Sequence, residues 1–201
     1  MPAVLPRAVV FPDLLPGDTA AGEPSEVSAG IGRFASAATR LLLGGDGLTT
    51  SLLEAWVGGP VAVRQADHRY VRSAEAPPGA GELLDADADE TLVVRRSVLA
   101  SPMAEELSRN LVVARSGLSA DVERCFGDPS APLGAALRDV GIGIRRTLVA
   151  VGRQRWDERA AAYKTYVMWH GTRPFAVLAE LYNPAVVPAD LRPAPAVGGA
   201  R

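Results

Sequence analysis

Charged residues lie inside two segments that otherwise have the composition of buried β-strands. Glu180 is the single charged residue of the segment 175–182, and Arg95 and Arg96 interrupt the apolar run 92–99. Because strand side chains alternate between faces, one of two adjacent arginines must point to the covered side of a sheet. A buried charge costs several kcal/mol unless it is paired or hydrogen-bonded. These charges therefore need partners or a function.

Two explanations fit these residues. In the first, Arg95 or Arg96 forms an ion pair with Glu180 and staples two strands together. In the second, an arginine holds a ligand carboxylate bidentately in an enclosed pocket, where Glu180 handles a proton or a hydroxyl group. The residue types alone leave both explanations open.

Hydrophobic spacing places these residues in a set of helices and strands. It predicts strands at 61–70, 91–100, 110–118, 144–151, 162–169 and 174–182, with a hairpin turn at 170–173, and helices at 31–43, 49–56, 120–126 and 132–140. The connection 77–90 is expected to be exposed. Because most of the strands follow one another through short links, the pattern indicates an α+β fold with an antiparallel sheet and helices on one face.

The length of 201 residues fits one domain. We place it at 30–184, after a proline-rich N-terminal extension or arm (1–29) and before a flexible C-terminal tail (185–201). The early apolar patch is interrupted by prolines and has no cleavage site, so no signal peptide is predicted. No apolar stretch is long enough for a membrane span, and we expect a soluble, cytoplasmic protein.

Composition excludes several classes of function. A net charge of -2 with scattered arginines offers no basic field for nucleic acid. Cys125 is the only cysteine and there are two histidines, so we expect no disulfide, no metal site and a buried, inert thiol. Phosphate-binding, nucleophile-elbow and zinc-protease motifs are absent from the sequence. We expect a small-molecule substrate, no cofactor and a monomer.

Five segments occur in an order that resembles chorismate pyruvate-lyase and its actinobacterial relatives. They are 46–54, 94–99, 110–116, 132–134 and 171–180, and the resemblance runs from about Gly30 to Tyr182. It implies an antiparallel sheet whose ligand lies in an internal cavity beneath helix-turn-helix lids. It also implies a cofactor-independent lyase that eliminates pyruvate from chorismate and leaves 4-hydroxybenzoate.

The resemblance assigns roles to four residues. Arg95 matches the arginine that grips the ring carboxylate, and Glu180 matches the acid near the ring oxygen from which pyruvate departs. Leu48 and Leu133 match lid and wall positions whose backbone groups meet the ligand. Glu180 and Arg95 are thus the expected catalytic residues.

The sequence departs from the family in the strand before the final hairpin. Relatives carry arginines where this chain has Thr165, Val167 and Trp169. A two-residue turn at 171–172 would put these positions on the side of Glu180, so Val167 and Trp169 are expected to bind the substrate in an apolar pocket.

This departure suggests two alternatives. The fold could serve as a cofactor-independent cyclase, pericyclase or isomerase for a more apolar intermediate such as a polyketide, with Tyr166 or Tyr182 assisting Glu180. It could also be a non-catalytic protein that binds an aromatic acid.

Overall fold

Six strands form one antiparallel sheet in the computed structural model, which describes residues 11–16, 22–45, 49–102, 104–128, 130–141 and 143–193. Their spatial order is β1-β2-β3-β6-β5-β4. The strands are β1 (Ala62–Arg72), β2 (Thr91–Ser101), β3 (Ala104–Arg115), β4 (Arg145–Trp156), β5 (Arg159–His170) and β6 (Arg173–Tyr182). The central positions of β3 and β6 bring Glu180 into the middle of the sheet.

Six helices accompany the sheet in the described part of the chain. They are α1 (Pro24–Gly32), α2 (Ala37–Gly44), α3 (Thr49–Val57), α4 (Ala80–Leu84), α5 (Ala120–Gly127) and α6 (Leu133–Asp139). None of them is long and apolar enough to cross a membrane. The predicted fold class, α+β with one antiparallel sheet, is confirmed.

The single helix predicted at 31–43 is wrong, because the chain turns between α1 and α2. Ser36 is the N-cap of α2: its backbone is extended and its side chain accepts a hydrogen bond from the Thr39 amide, so that α2 begins at Ala37. Phe34 forms a β-bridge with Leu191 and is buried. The capping serine and the pairing with the C-terminal segment together override the continuous hydrophobic spacing.

The two faces of the sheet are covered differently. The cavity face, as we call it, carries Glu180 and packs against α2, α3, α5 and α6. The opposite face packs against α4 and Leu14, with Ala80 and Leu84 of α4 fully buried. The connection 77–90 is therefore not simply exposed as predicted, because its short helix supplies part of the core.

The β5–β6 hairpin has the predicted two-residue turn but not the predicted register. His170 pairs with Arg173 on either side of the turn, whereas Met168 pairs with Ala176. The register shifts by one residue between these pairs. A shift of one residue transfers every following side chain to the other face of a sheet. Beyond this bulge, the β5 residues that were expected to share a face with Glu180 therefore point to the other face of the sheet.

The described part of the C-terminal tail is packed against the domain. Val187 and Ala189 are buried, and the Thr39 hydroxyl donates to the Pro188 carbonyl at 2.8 Å. The predicted fraying from residue 185 is therefore wrong for 185–193, because apolar side chains in this segment complete the core around α2.

Candidate functional site

A row of four polar residues crosses the centre of the cavity face. In register, Ser97 of β2 faces Asn110 of β3, Asn110 faces Glu180 of β6, and Glu180 faces Lys164 of β5. All four side chains are buried. Because cross-strand neighbours in register point to the same face, the topology gathers these groups from four separate segments of the chain.

Glu180 is enclosed by hydrogen-bond donors. Its Oε2 accepts from the hydroxyls of Thr49 and Tyr182, each at 2.7 Å, and its Oε1 accepts from the Tyr166 hydroxyl at 3.0 Å. The residue is only 5% exposed. Hydrogen bonds to an ionised carboxylate stabilise its charged form. The arrangement therefore holds a carboxylate in the interior.

The two tyrosines are donors to this carboxylate. Burial raises the pKa of both Tyr166 and Tyr182 well above the usual tyrosine value, and the neighbouring Glu180 charge raises each pKa further. Their hydroxyls thus keep their protons and direct them toward Glu180.

Lys164 supplies the opposite charge. Its Nζ lies 3.6 Å from Glu180 Oε2 and donates to the carbonyls of Leu42 at 3.0 Å and Gly45 at 3.2 Å. Those carbonyls belong to the C-terminal end of α2, where a cation is favoured. Lys164 therefore connects Glu180 to α2, while Thr49 connects it to α3.

A cavity of about 50 Å³ lies over this row of polar residues. Thr49 and Thr50 of α3 form one wall, and Leu133 and Gly134 of α6 form another. The sheet provides the floor, which comprises Ser97, Leu99, Asn110, Val112, Arg146, Tyr166, Leu178 and Glu180. Helices α3 and α6 thus cover the polar centre of the sheet.

Arg146 brings a second charge to the cavity wall. It comes from β4, is half-buried, and hydrogen-bonds to Tyr166, so that it lowers the pKa of this tyrosine against the larger effect of burial. Tyr166 therefore bridges a guanidinium and a carboxylate. The cavity has an anionic side at Glu180 and a cationic side at Arg146.

Arg95 does not contact Glu180. Its guanidinium donates to the backbone carbonyls of Cys125 at 3.1 Å, Asp128 at 2.8 Å and Ala131 at 3.0 Å. Burial lowers its pKa, and the nearby Asp128 charge partly opposes this shift. The explanation by an Arg95–Glu180 ion pair is therefore wrong. As placed, Arg95 fastens the link between α5 and α6 to β2.

Two of the residues predicted to bind substrate lie on the wrong side of the sheet. Val167 and Trp169 pack on the opposite face, in the cluster that contains Leu14 and Leu84. The prediction is wrong because the bulge in the β5–β6 hairpin reverses the faces, so that Tyr166 points toward the cavity instead.

Leu133 and Leu48 are the other two residues that were expected to bind the substrate. Leu133 is buried and lines the cavity wall at the start of α6, and its contact with a ligand stays a prediction. Leu48 lies outside the described residues, so its role stays a prediction.

The possible metal ligands and the one cysteine can be examined among the residues that the structure describes. Within the residues that the structure describes, no group of three His, Cys, Asp or Glu side chains could hold a metal ion. Cys125 is buried, as expected, and burial raises the pKa of its thiol. A thiol in this environment is a weak nucleophile.

Sequence reasoning missed Lys164 and Arg146. Lys164 is the only lysine of the chain and lies in the apolar strand segment 160–169, which is the same kind of signal that drew attention to Glu180. Arg146 is one of two adjacent arginines at the start of β4. The sequence offers no signal that joins either residue to Glu180, because the contact depends on strand order and register.

Comparison with known proteins supports the fold. No protein-family model matches the sequence, and no curated protein matches it either. Among solved structures, PhnF from Mycobacterium smegmatis is similar with a TM-score of 0.55 and 15% identity, over 71% of this chain and 66% of PhnF. The isolated effector domain of PhnF is similar with a TM-score of 0.53 and 17% identity, over 70% of this chain and 91% of that domain.

The likeness concerns the arrangement of strands and helices. The chain spans about two thirds of the length of PhnF.

Proposed function

We propose that this protein binds a compact carboxylic acid that also carries a hydroxyl group, with the ligand lying in the cavity between Glu180 and Arg146. The observation that carries the proposal is the position of Tyr166, which hydrogen-bonds to both of these charged residues at the cavity floor. The similarity to an effector domain, a part of PhnF, is consistent with small-molecule binding.

Glu180 is the acceptor for the ligand hydroxyl. Each carboxylate oxygen has room for about two hydrogen bonds. Oε2 accepts from Thr49 and Tyr182, whereas Oε1 accepts from Tyr166, among the contacts described. A ligand hydroxyl that donates to Oε1 would use the remaining acceptor position without displacing Thr49, Tyr166 or Tyr182.

Arg146 is the partner for the ligand carboxylate. Its guanidinium lies at the cavity wall, and planar guanidinium groups bind carboxylates with two parallel hydrogen bonds. The half-buried position raises the strength of this interaction relative to bulk water. The separation of the two charges selects the length of the ligand.

Elimination of pyruvate from chorismate is the finer proposal for this cavity. In this reaction the bond between a ring carbon and the ether oxygen breaks and a proton leaves the neighbouring ring carbon, so that the ring becomes the aromatic ring of 4-hydroxybenzoate. The enolpyruvyl group leaves with the ether oxygen as enolpyruvate, which takes up a proton to give pyruvate. The aromatic product bears the two groups that the cavity is suited to hold. Arg146 would take the role that the resemblance gave to Arg95, since Arg95 is occupied by backbone carbonyls.

The lining of the cavity does not support the cyclase alternative. It depended on an apolar lining from Val167 and Trp169, and these side chains lie on the opposite face. The non-catalytic alternative remains a candidate, since Glu180 reaches the cavity whether or not the bound acid reacts. A binding protein would hold the same kind of acid as the lyase but would not convert chorismate.

Calorimetric titration with 4-hydroxybenzoate, benzoate and phenol tests the binding proposal. We expect 4-hydroxybenzoate to bind at least about tenfold more tightly than either ligand that lacks one group. Arg146→Met should weaken the binding of both acids, whereas Arg145→Met, a change at the exposed neighbouring residue, should not. Equal affinity for 4-hydroxybenzoate and phenol in the wild type would contradict the proposal.

Incubation with chorismate separates catalysis from binding. Pyruvate and 4-hydroxybenzoate should appear in equal amounts if the protein is a lyase, and Glu180→Gln should reduce their formation. Glu82→Gln, an exposed change on α4, serves as the control. Tight binding of 4-hydroxybenzoate with no product from chorismate would identify a binding protein.

A further inference from the structure

The floor of the cavity continues past Glu180, on the side away from Arg146. Strand order places β5 and β4 on one side of β6, and β3 and β2 on the other. Arg146 of β4 lies at one end of the floor, whereas Asn110 of β3 and Ser97 of β2 lie toward the other. Neighbouring strands are about 4.8 Å apart, so Ser97 is two strand spacings beyond Glu180. A compact acid held between Glu180 and Arg146 covers only the β4–β6 side, and a further group of a ligand would lie over β2 and β3.

The Asn110 amide is oriented by its neighbours. Its Oδ1 accepts from the Ser108 hydroxyl at 3.1 Å, and its Nδ2 donates to the Ser97 carbonyl at 3.4 Å. Exchanging the amide oxygen and nitrogen would put two acceptors against each other at that carbonyl, so the contacts fix which end is the donor. An amide nitrogen carries two hydrogens, and the Ser97 carbonyl uses one of them. The second is a donor that Asn110 brings to the cavity floor beside its cross-strand partner Glu180.

The Ser97 hydroxyl is another polar group at this end of the floor. Ser97 is 8% exposed and lines the cavity. Among the residues that the structure describes, its hydroxyl has no hydrogen-bond partner, since the contact of Ser97 with Asn110 uses the backbone carbonyl. Burying a polar group without a hydrogen bond costs free energy. A buried hydroxyl that lines a cavity is therefore suited to bind a ligand atom.

We propose that Ser97 and Asn110 form a second polar subsite, which binds an oxygen substituent next to the ligand hydroxyl that Glu180 holds. This inference rests on the proposed function and narrows its ligand class to acids with two adjacent oxygen substituents, such as 3,4-dihydroxybenzoate. The Asn110 amide donates to the second oxygen, and the Ser97 hydroxyl donates to it or accepts from it. Both protein groups are neutral, so they bind an uncharged oxygen without needing a counter-charge.

Three ligands that differ at one ring position test the inference in the wild-type protein. 4-Hydroxybenzoate, 4-hydroxy-3-methylbenzoate and 3,4-dihydroxybenzoate share the carboxylate and the first hydroxyl, and the last two carry added groups of similar size. We expect 3,4-dihydroxybenzoate to bind at least about fivefold more tightly than either of the others in calorimetric titrations near neutral pH, because it gains hydrogen bonds in the subsite. Equal affinity for the methyl and the dihydroxy compounds would overturn the subsite.

Ser97→Ala separates a direct contact from an effect on the fold. The variant should lose most of the preference for 3,4-dihydroxybenzoate over 4-hydroxy-3-methylbenzoate. This preference is a ratio of two dissociation constants measured on the same protein, so a loss of folded protein changes both alike. Ser73→Ala, at a similarly buried serine beside α4 that does not line the cavity, should keep the preference. An unchanged ratio in Ser97→Ala would overturn the role of Ser97.

The outcomes distinguish this inference from the proposed function. If the wild type binds 4-hydroxybenzoate but binds 3,4-dihydroxybenzoate no more tightly, the subsite is overturned and the binding proposal stands. If it binds none of the three acids, both are overturned. Should Ser97→Ala fail to fold, as judged by circular dichroism, the comparison of the methyl and dihydroxy compounds in the wild type still decides.

Discussion

Lys164 and Glu180 face each other across β5 and β6, with Nζ 3.6 Å from Oε2 and both side chains almost fully enclosed. The same Oε2 accepts from Thr49 at the start of α3, and the same Nζ donates to the end of α2. One ion pair therefore fastens two strands and two helices at the floor of the cavity. Its loss should affect stability as well as ligand binding.

We expect Lys164→Met and Glu180→Gln each to destabilise the protein by about 3 kcal/mol, because each leaves one buried charge without its partner. The double variant should be much less destabilised than the sum of the two, since it leaves neither charge unpaired. Urea unfolding of the four proteins measures this coupling.

Arg124 and Asp121 provide the matched control for that cycle. They form an exposed ion pair on α5, and its coupling energy should be below about 0.5 kcal/mol. Additive effects at Lys164 and Glu180 would show that the pair contributes nothing beyond its separate contacts.

Arg95 should stabilise α5 and α6 through its hydrogen bonds to backbone carbonyls. We expect Arg95→Met to destabilise the fold by about 2–4 kcal/mol, because three carbonyls lose a charged donor. Amide hydrogen exchange should accelerate in α5 and α6 more than in α4. Arg96→Met, at a half-buried neighbouring position, is the control. Unchanged exchange in α5 and α6 would refute this anchoring role.

The register of the β5–β6 hairpin predicts which aromatic residue affects binding. Tyr166→Phe should weaken the binding of 4-hydroxybenzoate by about tenfold, because it removes the hydroxyl that links Glu180 and Arg146. Trp169→Phe should leave the affinity unchanged, since Trp169 packs on the opposite face. A loss of affinity in Trp169→Phe but not in Tyr166→Phe would instead support the register of a hairpin without the bulge.

Alkaline pH should destabilise the protein through Tyr163, whose pKa burial raises to about 12. In an unfolded chain tyrosine ionises near about pH 10. The folded state holds this proton more tightly, so the stabilisation is fully present below that pH and is lost as the pH rises toward about 12. The urea midpoint should therefore fall over this range.

Tyr163→Phe cannot ionise, and its urea midpoint should fall less steeply over the same range. Identical slopes for the two proteins would mean that Tyr163 does not contribute. Tyr166 and Tyr182, whose pKa values burial also raises, should account for the part of the fall that the variant retains.

Much of the architecture could be predicted from local patterns. All six strands and the helices at 49–57, 120–127 and 133–139 were expected, because alternation and helical spacing of apolar residues reflect which face is buried. The bounds agree less well for β3, which begins at Ala104 and not at 110, and for β4, which ends at Trp156 and not at 151. The break before α2 was not expected, since it depends on pairing with a C-terminal segment about 155 residues away. Long-range pairing has no local signature.

The candidate site was predicted only in part. Glu180 stood out because a lone carboxylate in an apolar strand needs partners. Tyr166 and Tyr182 were named as possible partners in the cyclase alternative, but the sequence could not identify Lys164 of β5 or Thr49 of α3, because neither lies on the strand that carries Glu180. The assignment of Arg95 followed from its position in a motif, and the backbone carbonyls that it binds come from a link whose path is a tertiary property.

The amino-acid sequence by itself determined that Glu180 would be buried, since the segment 175–182 has no other way to bury its apolar residues than as a covered strand. Only the tertiary structure decided what Glu180 meets. A single-residue register shift in the β5–β6 hairpin turned Lys164 and Tyr166 toward it and Val167 and Trp169 away. Strand side chains alternate with a period of two, so one bulge was enough to exchange an apolar pocket for a charged one.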